Sequence, residues 1–142
     1  VNQARGAAVS DAEAALQEAG KASARTLGAQ AQAPGQSFDD VAAAQQRAIR
    51  AVRAGERCST VDRAARGYIE RKGCGKYFIH STGHGIGQRV HQSPKISRKN
   101  HRRLKAGQVI TIEPGIYLKG WGGVRIEDMV EVTKKGCRIL TR

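Results

Sequence analysis

Three of the four histidines of this chain lie within twelve residues, in the stretch HSTGHGIGQRVH, as His80, His84 and His91. An imidazole can bind a metal ion, exchange a proton near neutral pH or donate a hydrogen bond. The glycines on both sides of His84 would let the backbone approach a ligand closely. The cluster therefore indicates a polar site, although a histidine beside glycines is also typical of a turn or of an ordinary core position.

Two glutamates downstream have surroundings that suit a metal site. Glu113 follows the apolar run VITI and precedes Pro-Gly, and Glu127 lies in GVRIEDMV, which we interpret as an apolar strand. A carboxylate in such a strand is costly to bury unless it is paired or binds a metal. Two carboxylates with an imidazole would suit Mn, Co, Fe or Zn. Pairing of Glu127 with Arg125 or Arg138 is the alternative.

Other kinds of site do not fit the spacing of residues. The glycines of GHGIG fall at every second position, so they do not match the phosphate-binding pattern GxGxxG, and no Walker lysine follows. The three cysteines have no CxxC spacing, which argues against a disulfide framework or a structural zinc site. Unpaired cysteines favour a reducing compartment, and we expect a cytoplasmic protein.

The positive charge of the chain is unevenly distributed. Residues 1–40 carry 3 Lys/Arg and 5 Asp/Glu, whereas residues 41–142 carry 22 and 7. The run 89–105 contains seven basic residues and no acidic one. Such a run could attract phosphate backbones, which leaves a basic nucleic-acid-binding module as an alternative function. Aromatic residues make up only 4% of the chain, so base stacking has little support and we interpret the run as a solvated loop.

Hydrophobic periodicity predicts two packed helices in the middle of the chain. Residues 38–54 have apolar side chains at helical spacing, and Gly55 follows. The segment VDRAARGYIERK repeats the pattern, with Ser59 or Thr60 as its expected cap and Gly73 after its end. A helix, a glycine turn and a second helix predict an antiparallel pair.

The period changes to that of strands in the second half. Short apolar runs at 109–112, 116–118, 124–132 and 136–141 are separated by glycine-rich turns. This pattern is typical of an antiparallel sheet, and with the two helices it predicts an α+β domain. We expect the strands carrying Glu113 and Glu127 to pair, with both carboxylates directed toward His84.

Residues 1–36 differ from the rest in composition. They are rich in alanine and glutamine, with Ser10 and Glu13 spaced as a capping box, and Pro34-Gly35 interrupts the pattern. We predict a helical or disordered arm at 1–36 and a domain at 37–142. No stretch is long and apolar enough for a membrane span, and the N-terminus lacks a basic region followed by an apolar run.

Three blocks taken in order resemble one known family. HSTGHGIGQRVHQSP, LKAGQVITIEPGIY and WGGVRIEDMVEVT are similar to the C-terminal part of the catalytic domain of the pita-bread metallopeptidases, the creatinase/aminopeptidase family. They look most like its Xaa-Pro aminopeptidase and Xaa-Pro dipeptidase branch, from about Phe38 onward. The resemblance implies a partial pita-bread fold and a hydrolase that releases the N-terminal residue from peptides with proline in second position.

The resemblance also implies roles for six residues. By similarity, His84, Glu113 and Glu127 match metal ligands, His80 and His91 match histidines near the substrate, and Arg125 matches an arginine that supports the metal-site carboxylates. Metal-activated water would attack the peptide bond, and Glu113 would accept its proton. The family uses two divalent ions, with manganese expected here and cobalt or zinc as alternatives.

Two further ligands of the family have no counterpart in this sequence. They are aspartates on an upstream β-hairpin, and the only aspartate before Phe38 and its neighbours Asp39 and Asp40 is Asp11, in an alanine-rich helical context. We therefore expect at most one ion and an impaired activity. The chain would be a fragment or truncated product, one part of an enzyme completed by another chain, or a pseudoenzyme. A homodimer is a further alternative.

Overall fold

The computed structural model describes residues 38–141. The predicted arm at 1–36 lies outside the described residues, together with the capping box of Ser10 and Glu13 and the lone aspartate Asp11. Its helical or disordered character and the domain boundary after residue 36 therefore stay predictions.

Two helices precede seven strands. The helices are α1 (Phe38–Ala51) and α2 (Cys58–Arg71), and a short 3-10 helix follows at Gly75–Tyr77. The strands are β1 (Gly83–Ile86), β2 (Gln92–Ile96), β3 (Val109–Ile112), β4 (Gly115–Leu118), β5 (Gly122–Arg125), β6 (Asp128–Val132) and β7 (Cys137–Ile139). The predicted α+β class is confirmed.

Both predicted helices are present, but their ends differ from the prediction. The first ends at Ala51 rather than at residue 54, and the second begins at Cys58, before the expected caps. The cap residue is Arg57, whose side chain makes no capping hydrogen bond. Instead, the first N–H groups of α2 donate to backbone carbonyls of the segment 100–102, at 2.8–2.9 Å. A neighbouring chain segment thus satisfies the helix start, which local sequence cannot reveal.

The two helices cover one face of a five-stranded sheet. All neighbouring strands are antiparallel, in the order β2-β1-β3-β6-β7, and β4 and β5 form a separate two-stranded ladder. The apolar sides of the helices and alternate residues of the strands form one core. Its members include Val41, Ala44, Ala48, Val61, Ala65, Ile69, Ile110, Ile112, Val130 and Val132, all at most 1% exposed.

Strand β2 lies within the basic run 89–105, which the sequence predicts to be a solvated loop, so that prediction is wrong for residues 92–96. β2 forms one end of the five-stranded order, and only Pro94 and Ile96 of its five residues are buried. An edge strand needs few apolar residues and tolerates proline, because one side has no ladder partner. Its sequence therefore carries almost no strand signal.

The two ladders meet at Glu113 and Glu127, the two carboxylates of the predicted site. Ile112 pairs with Asp128 in one ladder and Gly115 pairs with Arg125 in the other, so the two registers are in phase. Glu113 and Glu127 lie in the links between the strands and face each other across the gap. The prediction that Glu127 lies inside an apolar strand is wrong, since it lies between β5 and β6 and is exposed to solvent.

Neither of the two α-helices between residues 38 and 141 is long and apolar enough to cross a lipid bilayer.

Candidate active site

His84 and Glu113 meet on the face of the sheet that the helices leave uncovered. β1 and β3 pair so that His84 lies beside Thr111, whose hydroxyl accepts a hydrogen bond from the His84 backbone N–H at 3.0 Å. Residues two apart on a strand share a face, which places Glu113 on the same side as Thr111. The Thr111 hydroxyl donates to Glu113 Oε1 at 3.0 Å, and His84 Nε2 lies 3.1 Å from the same oxygen.

The glycine before His84 allows this approach. A Cβ atom at Gly83 would lie 1.8 Å from the carbonyl oxygen of Thr111, a distance that no side chain can occupy. Only glycine therefore lets β1 lie this close to β3. The close packing of the two backbones brings the His84 ring within reach of Glu113.

The contact between His84 and Glu113 is shielded from water. Each side chain is only 13% exposed, so water competes little for this contact. His84 Nδ1 lies 3.0 Å from the carbonyl oxygen of Gly85, so we assign a hydrogen to Nδ1. That bond fixes the orientation of the ring and directs Nε2 toward the carboxylate, the arrangement expected of an imidazole metal ligand.

His91 lies beside His84 at the mouth of a cavity. The centroids of the two rings are 4.1 Å apart, and His91 is exposed to solvent. The cavity has a volume of about 670 Å³ and is lined by Ser81, His84, His91, Gln92, Ser93, Lys95, Asn100 and Arg102. Two of these side chains are cations and none is a carboxylate, so the cavity favours a ligand with a negatively charged group.

His80 is held by a residue that the sequence analysis does not select. The hydroxyl of Tyr117 lies 2.8 Å from His80 Nε2, and His80 Nδ1 lies 2.8 Å from the carbonyl oxygen of Ser81. Both ring nitrogens thus have partners outside the contact of His84 with Glu113. Tyr117 follows Glu113 by four residues, and period-two alternation from that glutamate was the signal that could have found it.

A buried ion pair fixes the segment that carries His80. Asp62 is fully buried and accepts two hydrogen bonds from Arg66, each 2.8 Å long, and one from the hydroxyl of Thr82, also 2.8 Å. Arg66 also donates to the carbonyl oxygens of Phe78 and His80, at 2.9 and 2.7 Å. One guanidinium therefore ties α2 to the chain that enters β1. Opposite charges four residues apart on the apolar side of α2 were the available sequence signal.

Arg125 and Glu127 are less closely engaged. Arg125 Nε lies 3.8 Å from Glu113 Oε2, and its side chain is 52% exposed, so this ion pair is weak. Glu127 forms no hydrogen bond or ion pair with any residue between 38 and 141. The next residue, Asp128, faces the helices instead, where Gln45 donates to it at 3.1 Å and Thr141 at 2.7 Å. Of the two adjacent carboxylates, Asp128 is structural.

The described residues form part of a site for a divalent metal ion. His84 Nε2 and Glu113 Oε1 are close enough to contact one ion together, and Glu127 lies across the gap between the ladders. Within residues 38–141, however, no three side chains of His, Cys, Asp or Glu converge closely enough to form a complete site. The structure thus brings two metal-binding side chains, His84 and Glu113, into contact and places a third, Glu127, across the gap between the ladders.

Known proteins with a similar sequence are peptidases. The sequence profile of Metallopeptidase family M24 matches residues 8–134, a range that begins upstream of the predicted boundary after residue 36. The Xaa-Pro dipeptidase of Pyrococcus furiosus is 48% identical over 105 residues, which cover 74% of this chain and 30% of that protein. The chain thus spans about a third of the length of this curated relative.

Solved structures of such peptidases have the same fold. The X-Pro aminopeptidase of Thermotoga maritima MSB8 matches with a TM-score of 0.72 at 46% identity, covering 73% of this chain and 30% of that one. The prolidase of Pyrococcus furiosus matches with a TM-score of 0.73 at 48% identity, covering 74% and 31%. These matches confirm the predicted partial pita-bread fold and the resemblance of the three sequence blocks. With the profile covering most of its length, the chain belongs to metallopeptidase family M24.

Proposed function

We propose that residues 38–141 form the C-terminal part of the catalytic domain of a metal-dependent peptidase that releases the N-terminal residue from Xaa-Pro peptides. The observation that carries this proposal is the 3.1 Å contact of His84 with Glu113, shielded from water and beside a cavity of about 670 Å³. Membership of a metallopeptidase family supports the reaction class. The names of the similar proteins, Xaa-Pro dipeptidase and X-Pro aminopeptidase, support the choice of substrate.

The proposed metal ligands are His84, Glu113 and Glu127, with manganese as the first choice and cobalt or zinc as alternatives. Glu113 and Glu127 face each other in register between the two ladders, and like charges in opposite positions are destabilising. A cation between them would remove that repulsion. When bound, such an ion supplies an activated water molecule. Three protein ligands are the fewest usual for a catalytic ion, so we expect weak binding of at most one ion by these residues.

Side chains in and near the cavity would bind the substrate and assist its hydrolysis. Glu113 would accept a proton from the attacking water, because its carboxylate is already held by Thr111 and needs no rearrangement. His91 at the cavity mouth would donate a hydrogen bond to the oxyanion that develops on the substrate. His80, oriented by Tyr117, would do the same by exchanging its Ser81 carbonyl partner for the oxyanion. Arg125 would hold the second oxygen of Glu113 in place.

Full activity would require further carboxylates, supplied by another segment or by a complementing chain. A non-catalytic pseudoenzyme is the second candidate, favoured by the absence of a complete three-residue metal site within residues 38–141. The three cysteines are free thiols, which is consistent with the expected cytoplasmic location.

Metal titration and a peptidase assay on the purified chain test the proposal together. We expect weak manganese binding that is lost in His84→Ala and kept in His101→Ala, since His101 is exposed and bonds to Ser59 instead. We expect little or no hydrolysis of an Xaa-Pro dipeptide by the chain alone. Manganese binding that is the same in His84→Ala would overturn the ligand assignment. Turnover of about 1–1000 per second that vanishes in His84→Ala would show that the chain is complete by itself.

A further inference from the structure

A groove on the outer side of the helix pair is lined by arginines. Arg47 and Arg50 of α1 and Arg63 and Arg71 of α2 line it, together with Thr60 and Ala64, and its volume is about 490 Å³. All four arginines are exposed to solvent. No acidic side chain lines the groove. This surface is separate from the cavity beside His84 and shares no residue with it.

Within the part of the chain that the structure describes, no ion pair neutralises the charge of these arginines. Apart from Asp39 in the first turn of α1, the carboxylates of the helices and of the turn that joins them are paired with other cations. The pairs are Asp40 with Lys72, Glu56 with Arg53, Asp62 with Arg66, and Glu70 with Arg98. The groove therefore presents four positive charges to an anion.

The spacing of the arginines suits a chain of phosphates. Arg63 and Arg71 are eight residues apart on α2, which corresponds to about 12 Å at the rise of an α-helix. One nucleic-acid strand carries a phosphate about every 3.4 Å of duplex axis, so this length covers roughly three or four phosphates. A guanidinium binds a phosphate through two parallel hydrogen bonds.

The floor of the groove keeps the guanidinium groups accessible. Ala64 lines it with a single methyl group, and the guanidinium of Arg71 lies over Gly67, where even an added Cβ would be 3.5 Å away in ordinary contact. On α1, the guanidinium of Arg47 lies 4.6 Å from the centroid of the Tyr68 ring, a cation–π contact that orients it without cancelling its charge.

We propose that this groove binds the phosphate backbone of a nucleic acid without reading its bases. Arginines and a threonine hydroxyl line it, and the groove has no aromatic lining residue on which a base could stack. The proposal concerns the helix pair and not the basic run 89–105. It is independent of the peptidase proposal, because no residue of the candidate active site takes part.

The salt dependence of binding measures the number of phosphates contacted. We expect the complete chain to bind a labelled DNA duplex of about 20 base pairs with a slope of log K against log salt near −3.6, about −0.9 for each of four arginines. Affinity should then fall roughly 100-fold between about 50 and about 200 mM salt. Fluorescence anisotropy provides the affinity at each salt concentration.

Matched variants separate the groove from the overall charge. Arg47→Gln with Arg63→Gln should reduce the magnitude of the slope by about 1.8. Arg50→Gln with Arg71→Gln should do the same, and serves as a second test if the first variant folds poorly by circular dichroism. Lys134→Gln with Lys135→Gln removes the same charge at an exposed turn that does not line the groove, and should leave the slope unchanged. Arg47→Lys with Arg63→Lys keeps both positive charges and should retain most of the slope of the unaltered chain.

Three results would overturn the proposal. The first is a slope near zero for the unaltered chain. The second is an equal loss of slope in the lysine control, which would show a response to net charge alone. The third is an unchanged slope in both folded arginine variants, which would place any binding elsewhere on the surface.

Discussion

His84 Nε2 lies 3.1 Å from Glu113 Oε1, although the two residues belong to different segments of the chain and meet only through the pairing of β1 with β3. If they share a metal ion, Glu113→Gln should weaken manganese binding at least about 10-fold, because an amide replaces a charged ligand. Titration calorimetry measures the change. Glu131→Gln is the matched control, since Glu131 is paired with Arg138. Equal loss in both variants would indicate an effect of charge alone.

Thr111→Val should weaken both the fold and the proposed metal site. Thr111 is fully buried, accepts from the His84 N–H and donates to Glu113, so valine leaves a buried donor without its partner. We expect a loss of about 1–3 kcal/mol in the free energy of unfolding, measured in urea. Thr60→Val, at a half-buried position in α2, breaks only the hydrogen bond with the Glu56 side chain, which water can replace, and should change it much less. An unchanged stability in Thr111→Val would show that water replaces the hydroxyl.

Gly83→Ala should be one of the most damaging single-methyl substitutions in the described chain. Its Cβ would lie 1.8 Å from the Thr111 carbonyl, whereas a Cβ at Gly136 would meet no atom within 4 Å. Forcing a methyl group into packed structure typically costs about 1–3 kcal/mol. The melting temperatures of the Gly83→Ala and Gly136→Ala chains provide the comparison. Similar values for the two would mean that β1 can shift away from β3.

Arg66→Met should destabilise the chain by about 3–5 kcal/mol, because it leaves the carboxylate of Asp62 buried without its charge partner. Arg53→Met removes an arginine from the exposed pair with Glu56 and should cost at most about 1 kcal/mol. Urea unfolding gives both values. Adding Asp62→Asn to Arg66→Met should recover part of the loss. A double variant no more stable than the single one would contradict the burial argument.

The cysteine thiols should react slowly with iodoacetamide while the chain is folded. Burial raises the pKa of Cys58, Cys74 and Cys137 above the ordinary value of 9.0. As the pH rises, the thiols therefore ionise in the unfolded chain before they ionise in the folded one. The free energy of unfolding should not depend on these thiols below about pH 9.0, and should fall as the pH rises from 9.0 toward the higher pKa of the folded state. Alkylation rates of the folded and urea-unfolded chain between about pH 7 and about pH 10 test this. Equal rates would show that the thiols are accessible.

The helices and central strands follow from the sequence because each has an apolar face with its own period. Strand β2 does not, since an edge strand with a proline and exposed polar residues has no such period. The start of α2 was misplaced for a related reason. Its first N–H groups donate to carbonyls of residues 100 and 102, and no residue near the start of the helix indicates that contact in the sequence.

The candidate site was predictable to the extent that motifs mark it. The glycines around His84 and the Glu-Pro-Gly after β3 indicate two residues that the structure does bring together. The residues that hold them, Thr111, Tyr117 and Arg66, have ordinary sequence surroundings and acquire their roles only through strand register and helix packing. The buried pair of Arg66 with Asp62 has the same four-residue spacing as common surface pairs, so only burial distinguishes it.

The gap between the two ladders has a mechanical consequence. Glu113-Pro114 and Ile126-Glu127 belong to no strand, and the backbone hydrogen bond that joins them, from the Ile126 N–H to the Pro114 carbonyl, is 3.4 Å long. A small rotation of the β4–β5 ribbon against the five-stranded sheet would therefore break little regular hydrogen bonding. It would change the separation of the two glutamates directly. The separation of the two carboxylates therefore depends on the angle between the two ladders.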